Sequence, residues 1–308
     1  MRALVLPAYG PASTLTLRTH PDPTPAAGQI AIRMAGASIN PIDWKQMSGA
    51  AARWIPLELP AVLGRDVSGT VIAVGAGVAD FAVGARVMGR VRGGAFAEVA
   101  VGAAGGFVGV PAGLELADAA ALPLALLTGA QLVEEAIDAR AGETVLVTGA
   151  TGSVGRAAVF AAKGRGAKVW AGVRGKYVAA ARGLGVEGVV ALDEAGAGAA
   201  AALPELDGIA DTVGGETGGG LVAKLKVGGR YGSVVGVPGA VEAAAKEKRI
   251  AAKSIFTHDD GPRLAALARA VADGALAIPI ARRFPLAEGA AAMEFAQKGA
   301  EGKVLLLG

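Results

Sequence analysis

The sequence predicts an α/β protein in which a β-rich domain is interrupted by a second domain built on a parallel sheet. Its 308 residues are enough for about two domains. Short apolar runs separated by turn glycines fill residues 1–118, whereas strands alternate with helices over residues 119–257. Residues 258–308 are few for a third domain. We therefore expect them to pack on residues 1–118 as one domain, with residues 119–257 forming the other.

Short strands and tight turns are predicted for the first domain. Apolar runs at Ile30–Met34, Thr70–Val74 and Arg86–Met88 have the composition of strands. Glycines recur at short intervals between residues 64 and 94. This spacing is typical of a barrel-like or rolled sheet.

From Leu116 the chain becomes rich in alanine and leucine, and then alternates strand with helix. Ala117–Ala136 favours helix, interrupted at Pro123, and Gly142 ends the helical stretch. The repeating units that follow predict a parallel sheet with helices on both faces. Strands are expected at Thr144–Thr148, Lys168–Val173, Gly188–Leu192, Gly208–Val213 and Arg230–Val235, and helices at Val154–Gly164, Lys176–Leu184 and Gly219–Lys226.

The last fifty residues return to a different order of elements. Helices are expected at Arg263–Asp273 and Ala287–Lys298, and strands at Ile278–Arg283 and Lys303–Leu307. We expect these elements to complete the first domain.

Composition excludes several classes of chemistry. The chain has no cysteine, which excludes disulfides, thiolate catalysis and cysteine-ligated zinc or iron–sulfur sites. Its two histidines, His20 and His258, have no surrounding carboxylate cluster, so no metal site is predicted. His20 lies in a proline-rich turn, and His258 precedes Asp260, a residue suited to capping a helix. A Ser-His-Asp hydrolase is therefore not expected.

Charge and hydropathy argue against nucleic acid and membrane partners. The net charge is only +3 and aromatic residues make up 4%, whereas a nucleic-acid surface needs a basic stripe with interleaved aromatics. The longest charge-free run, Val99–Leu114, is short and broken by glycines, unlike a membrane span. The first residues do not resemble a signal peptide. We expect a cytoplasmic protein.

A glycine loop is the most informative motif. The apolar strand Thr144–Thr148 leads into Gly149, Gly152 and Gly155, with a helix following. Glycines let the backbone approach a pyrophosphate, and the helix N-terminus offers free N–H groups to it. The loop predicts dinucleotide binding through its glycines and the residues between them, Thr151, Ser153 and Val154. An ordinary tight strand–helix turn is the alternative.

The residues after the second strand indicate which dinucleotide binds. Sites selective for NAD place an acidic residue there for the ribose hydroxyls, but this chain has Arg174, Lys176 and Tyr177 and no carboxylate nearby in sequence. Two cations attract a 2′-phosphate. We therefore expect NADPH as the cofactor, unless Arg174 and Lys176 are only surface cations of the next helix.

These motifs, in this order, resemble the zinc-free medium-chain dehydrogenases/reductases of the quinone oxidoreductase type. The resemblance covers essentially the whole chain. It implies a GroES-like catalytic domain interrupted by a doubly wound Rossmann domain, and NADPH-dependent reduction of quinones or of the C=C bond of α,β-unsaturated carbonyls. The motifs that carry it are Asn40–Lys45, Pro60–Val71, Val83–Gly89, Ala120–Pro123, Leu127–Ala130, the glycine loop, Asp211–Gly215 and Gly302–Val304.

The resemblance also implies roles for single residues of the catalytic domain. Asn40 matches an asparagine near the nicotinamide whose amide donates to the substrate carbonyl; the alternative is a cap before Pro41. Lys45 matches a cation near the cofactor, or is a surface lysine. Trp44 is expected to form a wall of the substrate pocket, or to be part of the core. Zinc-dependent relatives carry Gly-His-Glu where this chain has Gly64–Asp66, so no zinc is expected.

Further contacts to the cofactor follow from the same resemblance. Thr128 matches a residue on the nicotinamide side, with a hydroxyl inside a helix as the alternative. Gly236 and Val237 match a strand end that meets the carboxamide. Val213 and Lys303, in the Asp211–Gly215 and Gly302–Val304 motifs, are also assigned to cofactor binding.

The expected reaction is direct hydride transfer to an enone or a quinone, with donors such as Asn40 stabilising the oxygen that gains negative charge. The residues do not identify the proton donor: water, Lys45 and a ribose hydroxyl all remain open. Two alternatives are an enoyl-thioester reductase and a non-catalytic NADPH-binding protein. The resemblance further implies a homodimer, often formed by pairing the edges of Rossmann sheets.

Overall fold

The computed structural model describes residues 1–193 and 201–308. The described chain forms two compact units: Met1–Leu124 together with Asp259–Gly308, and Ala125–His258. Residues 119–124 pack with the first unit because Ala119, Ala120 and Ala121 are buried beside its sheet, where Gly36 leaves room for the backbone of Ala117.

The first unit is built on two largely antiparallel sheets. In the larger, the neighbouring strands follow the order β15-β16-β3-β5-β6-β8, and β7 also pairs with β3; the smaller has the order β2-β1-β4. Only β15 and β16 run parallel. The strands are β1 (Arg2–Leu6), β2 (Thr16–Thr19), β3 (Gln29–Ile39), β4 (Ala61–Val62), β5 (Asp66–Val74), β6 (Arg86–Arg90), β7 (Val99–Ala103), β8 (Phe107–Gly109), β15 (Ile280–Pro285) and β16 (Lys303–Leu307).

The strands predicted for this unit exist, but three of them are longer than predicted, and β6 runs two residues further, to Arg90. β3 continues past Met34 to Ile39, and β5 begins at Asp66 rather than Thr70. Small residues explain the extension, since the missing side chain of Gly69 lets β5 approach the Arg33 carbonyl of β3. Ile30, Ile32 and Val71 are fully buried between the layers.

Three helices belong to the first unit, two of them in the C-terminal segment: α1 (Pro41–Met47), α7 (Gly261–Ala272) and α8 (Gly289–Gln297). The predicted cap of α7 is confirmed, because the Asp260 side chain accepts a hydrogen bond from the Arg263 backbone N–H at 2.9 Å. Such a bond satisfies one of the free donors at a helix start.

A parallel sheet forms the centre of the second unit, as predicted. Its described strands follow the order β11-β10-β9-β12-β13-β14, all parallel. This is the 3-2-1-4-5-6 order of doubly wound sheets, which bind ligands where the order reverses, here between β9 and β12. The strands are β9 (Thr144–Thr148), β10 (Lys168–Val173), β11 (Gly188–Ala191), β12 (Leu206–Asp211), β13 (Leu225–Ser233) and β14 (Ala251–Ser254).

The helices that accompany this sheet differ from the prediction in length, and one of them, Gly239–Lys248, was not predicted. The predicted break at Pro123 is confirmed, because α2 begins there and ends in a π turn over Leu132–Ala136. The predicted helix at Gly219–Lys226 is instead two short helical segments that start earlier, at Gly215. The helices are α2 (Pro123–Gln131), α3 (Ser153–Gly164), α4 (Val178–Arg182), α5 (Gly215–Gly220) and α6 (Gly239–Lys248).

Within the described residues, no helix combines the length and the apolar character that crossing a bilayer requires.

Candidate functional site

The glycine loop connects β9 to α3 at the point where the strand order reverses. Gly149 has φ +61°, a left-handed conformation that favours glycine. A Cβ on Gly155 would lie 2.1 Å from the Gly149 carbonyl oxygen, so only glycine lets the helix start so close to the strand. Gly152 is the N-cap of α3 and has extended backbone. The loop thus leaves a backbone cradle at a helix N-terminus, which fits the phosphates of a dinucleotide.

The residues between the glycines stay accessible. Thr151, Ser153 and Val154 are each partly exposed. The loop is braced by Arg156, whose Nε donates to the Thr151 carbonyl oxygen at 2.9 Å, and burial lowers the pKa of that guanidinium. The sequence analysis missed Arg156, which lies directly after Gly155 and carries no motif of its own.

A buried carboxylate joins the glycine strand to β12. Asp211 is fully buried at the end of β12 and accepts hydrogen bonds from Thr148 Oγ1 at 2.6 Å and from Tyr231 Oη at 2.5 Å. It also accepts the backbone N–H groups of Val213 and Gly214, at 3.0 and 3.1 Å. One carboxylate therefore positions three neighbouring strand ends. Asp211 belongs to one of the motifs found in the sequence, but the motif did not show which groups donate hydrogen bonds to this carboxylate.

The cationic segment after β10 is compact. The Arg174 guanidinium and the Lys176 ammonium lie 5.2 and 4.6 Å from the centre of the Tyr177 ring. The Gly175 N–H donates to Asp193 Oδ1 at 2.6 Å. Asp193 follows β11, so the sheet brings a carboxylate to a segment that has none nearby in sequence. The sequence analysis missed it because only the pairing of β10 with β11 makes the two neighbours.

Other predicted cofactor residues lie at the carboxyl ends of β12 and β13. Val213 is 49% exposed, Gly236 has φ +103° with open space where a Cβ would be, and Val237 packs partly on the core of this unit. In α2, Thr128 is largely buried and its Oγ1 lies 2.6 Å from Thr257 Oγ1. Val213, Gly236 and Val237 therefore follow the carboxyl ends of strands of the same sheet as the glycine loop.

In the first unit, the Asn40 side chain is part of a buried polar cluster. Its Nδ2 donates to Asp66 Oδ2 at 3.0 Å and to the Ser38 carbonyl oxygen at 3.2 Å. Its Oδ1 accepts from Lys303 Nζ at 2.6 Å. Asn40 is only 3% exposed and is the N-cap residue of α1. Both amide hydrogens are used inside the protein, so the predicted donation to a substrate carbonyl is not supported by this arrangement.

Lys303 is also placed differently from the prediction. Lys303 is 6% exposed. Its ammonium donates a hydrogen bond to Asn40 Oδ1 and lies 3.8 Å from Asp66 Oδ2. Burial lowers its pKa. The predicted contact of Lys303 with the cofactor is therefore not supported, because the tertiary structure turns the side chain inward.

The other two residues predicted in the first unit lie in α1 and differ in burial. Lys45 is exposed, and Trp44 packs against the core of this unit.

Two further charged residues beside this cluster were not singled out from the sequence. Asp43 is fully buried and its Oδ2 accepts the Asn40 N–H at 2.7 Å, whereas its Oδ1 has no hydrogen-bond partner. Burial raises the pKa of Asp43 to about 7. Arg65 precedes Asp66, is half-buried, and has a lower pKa because of burial. Across residues 1–193 and 201–308, no three His, Cys, Asp or Glu side chains form a group able to hold a metal.

Two family models each match a part of the chain. Residues 26–113 match the alcohol dehydrogenase GroES-like domain, and residues 184–306 match the zinc-binding dehydrogenase family. The chloroplast envelope quinone oxidoreductase homolog of Arabidopsis thaliana is 34% identical over 62% of this chain and 60% of its own length. The quinone oxidoreductase of Rattus norvegicus is 35% identical over 55% of this chain and 51% of its own length. The chain thus spans between half and two thirds of these relatives.

Solved structures match over the whole chain. The quinone oxidoreductase from Coxiella burnetii is 30% identical, with a TM-score of 0.92, and the match covers 100% of this chain and 99% of that one. An alcohol dehydrogenase superfamily protein from Novosphingobium aromaticivorans is 28% identical with the same coverage and a TM-score of 0.91. The Rossmann-type sheet and these matches imply a nicotinamide cofactor. The chain belongs to the quinone oxidoreductase family of medium-chain dehydrogenases/reductases.

Proposed function

We propose that the protein is an NADPH-dependent oxidoreductase that reduces quinones or the C=C bond of α,β-unsaturated carbonyls without zinc. The observation that carries this proposal is the glycine cradle at the reversal of the strand order, followed on the neighbouring strand by two cations. Family membership supports the reaction class.

The glycine loop and the strand ends supply the groups that hold the cofactor. The N–H groups at the start of α3 suit the pyrophosphate, next to the partly exposed Thr151, Ser153 and Val154. Val213 is exposed, and together with Gly236 and Val237 it suits the apolar ring faces of the cofactor at the carboxyl ends of β12 and β13. When bound, the cofactor supplies a hydride for the reduction.

Selectivity for the phosphorylated cofactor is assigned to Arg174 and Lys176. Both cations lie against the Tyr177 ring, which limits their freedom and keeps them on the same short segment. Cationic donors bind phosphate through strong charge-assisted hydrogen bonds. The Asp193 carboxylate holds the Gly175 N–H between them and keeps this turn in place, although its charge opposes that of a phosphate.

Reduction of an enone or a quinone places negative charge on the acceptor oxygen. The protein must therefore offer that oxygen a donor, and it must exclude water from the reacting carbon. Since the Asn40 amide is engaged with Ser38 and Asp66, we assign Asn40 the role of a positioning residue that holds the start of α1.

The experiment that tests the proposal measures oxidation of NADPH and of NADH in parallel assays. The acceptors are 1,4-benzoquinone, 9,10-phenanthrenequinone, 1-octen-3-one and crotonyl-CoA. We expect turnover with NADPH and with a quinone or the enone. Turnover restricted to crotonyl-CoA would replace the proposal with an enoyl-thioester reductase, and NADPH binding without any turnover would replace it with a binding protein.

We also propose a cytoplasmic homodimer. The strand β14 ends the described order of the parallel sheet, and its side chains Ala251, Ala252 and Lys253 are exposed. An uncovered sheet edge presents backbone donors and acceptors that a second copy can pair with. Light scattering of the purified chain tests this, since a monomeric mass would contradict it.

A further inference from the structure

A substrate oxygen in the first unit needs a donor other than Asn40. Asn40 Nδ2 carries two hydrogens, and these are directed at Asp66 and Ser38. Lys303 donates to Asn40 and lies inside the unit. A donor to that oxygen must therefore be a cation that borders this cluster and still reaches the surface.

Arg65 has the geometry of such a donor. It directly precedes Asp66, and its own carbonyl oxygen accepts the Val91 N–H at 2.7 Å, which fixes its backbone between β5 and β6. Its side chain is half-buried. Nε is buried without an acceptor, and within the part of the chain that the structure describes the guanidinium makes no hydrogen bond.

The charges around Arg65 do not replace those hydrogen bonds. Asp43 and Asp66 attract the guanidinium, and Arg90 repels it. Asp66 is already an acceptor for Ser38 and Asn40, and Arg90 itself pairs with Asp259 at 3.0 Å. Burying part of a cation without hydrogen-bond acceptors costs free energy. The unused donors of Arg65 can bind an oxygen atom that a ligand supplies.

We propose that Arg65 binds the acceptor's carbonyl or quinone oxygen and stabilises the negative charge that builds there. This deepens the proposed function and rests on it. The guanidinium keeps all of its protons. The hydride that a bound nicotinamide cofactor would supply forms the new C–H bond at the reduced carbon, and the π electrons of the conjugated system shift onto the acceptor oxygen. Arg65 donates hydrogen bonds to that oxygen until a proton from solvent completes the reduction. The substrate class is thereby an acceptor with an accessible oxygen conjugated to the reduced bond.

The chemistry of the side chain suits this role. A guanidinium donates through several N–H groups in a fixed plane and remains charged at any physiological pH. Hydrogen bonds from a charged donor to an oxygen strengthen as that oxygen gains charge. Arg65 therefore favours the charged state over the neutral substrate, as rate enhancement requires.

The test compares Arg65→Met, Arg65→Lys and Arg65→Ala with Arg92→Ala. Arg92 is the matched control because it is an exposed arginine of the same unit. We expect Arg65→Met to lower kcat/KM for 1-octen-3-one about 100-fold, the loss typical of one missing oxyanion donor. The NADPH dissociation constant and Tm should stay near wild type. Added guanidinium ion should restore part of the activity of Arg65→Ala, and Arg92→Ala should behave as wild type.

A purely structural role for Arg65 gives a different result. If Arg65 only balances the buried carboxylates, its variants lose Tm, keep kcat/KM and show no response to guanidinium, and the proposal is overturned. If the Met and Ala variants do not fold, Arg65→Lys decides: wild-type kcat/KM overturns the proposal, and a selective loss of kcat/KM at unchanged NADPH affinity supports it.

A binding measurement separates this proposal from the proposed function. The probe is 4-nitrophenolate, an aromatic oxyanion, titrated with NADP⁺ present and absent and followed by its absorbance. If the wild type reduces no acceptor, the proposed function fails, and Arg65 is then tested by this titration alone. Weaker phenolate binding to Arg65→Lys than to wild type keeps the assignment of Arg65 as an oxyanion-binding residue, and equal binding overturns it.

Discussion

Adding one methyl group at Gly155 should disrupt the glycine loop. In the structure, a Cβ at this position would lie 2.1 Å from the Gly149 carbonyl oxygen and 2.7 Å from Ala150 Cα, whereas real Cβ atoms stay at least 3.0 Å away. All of these contacts are backbone, so no flexible side chain can move aside. Either the loop or the first turn of α3 has to shift by about 0.9 Å.

The shift of the loop or helix costs free energy, and it should weaken NADPH binding. Overpacking of this kind costs about 1–3 kcal/mol. If it is expressed in cofactor binding, it raises the NADPH dissociation constant about 5- to 150-fold. The Gly155→Ala protein should also lose a few degrees of Tm. We would measure NADPH affinity by the quenching of tryptophan fluorescence, and Tm by calorimetry.

Gly164 provides the matched control. It is the last residue of the same helix, and a Cβ there would meet nothing within 4 Å. Gly164→Ala should therefore keep NADPH affinity and raise stability by up to about 1 kcal/mol, because alanine has the higher helix propensity. If Gly155→Ala bound NADPH like the control, the loop would not need its close backbone approach, and the reasoning from this contact would be refuted.

Three further predictions concern charge. Replacing Arg174 and Lys176 together by serine should weaken NADPH binding about tenfold or more while leaving NADH binding unchanged, because only the phosphorylated cofactor uses both cations; equal losses in fluorescence titrations would contradict the assignment. Lys303→Met removes the cation beside the fully buried Asp66 carboxylate and the donor to Asn40 Oδ1. It should lower the free energy of unfolding by about 3–5 kcal/mol in urea denaturation, so an unchanged midpoint would show that these contacts contribute nothing. Because burial raises the pKa of Asp43 from 3.8 to about 7, the folded chain retains a proton that the unfolded chain releases between these values, and stability should fall as pH rises from roughly 4 to 7. Asp43→Asn should flatten this profile in Tm measurements, and an identical slope in both proteins would count against a buried, protonated Asp43.

Local patterns made most of the fold predictable. Alternating apolar runs and turn glycines identified the β-rich segments, and the strand–helix order identified the parallel sheet. The break at Pro123 and the cap at Asp260 were also predictable, since each depends on the residue and its immediate neighbours. The ends of the elements could not be predicted as well. The strand β3 continues to Ile39 because Gly69 of β5 allows close pairing, and the sequence near Ile39 does not contain this information.

The candidate site divides in the same way. The glycine loop could be predicted because its function depends on backbone freedom at closely spaced positions. The partners of Asn40 could not, since Lys303 comes from the opposite end of the chain. Likewise, Asp193 could not be found among the residues that follow β10. It follows β11, and it contacts Gly175 because β10 and β11 are paired in the sheet.

The sequence by itself determined the order of elements, the glycine cradle and the cations that follow the second strand, because these are properties of short segments. Tertiary structure alone decided which polar groups are already paired. Asn40 and Lys303 bind each other inside the first unit, whereas the neighbouring Arg65 keeps its donors. The physical reason is that a hydrogen bond depends on distance in space, and folding brings together groups that lie far apart along the chain.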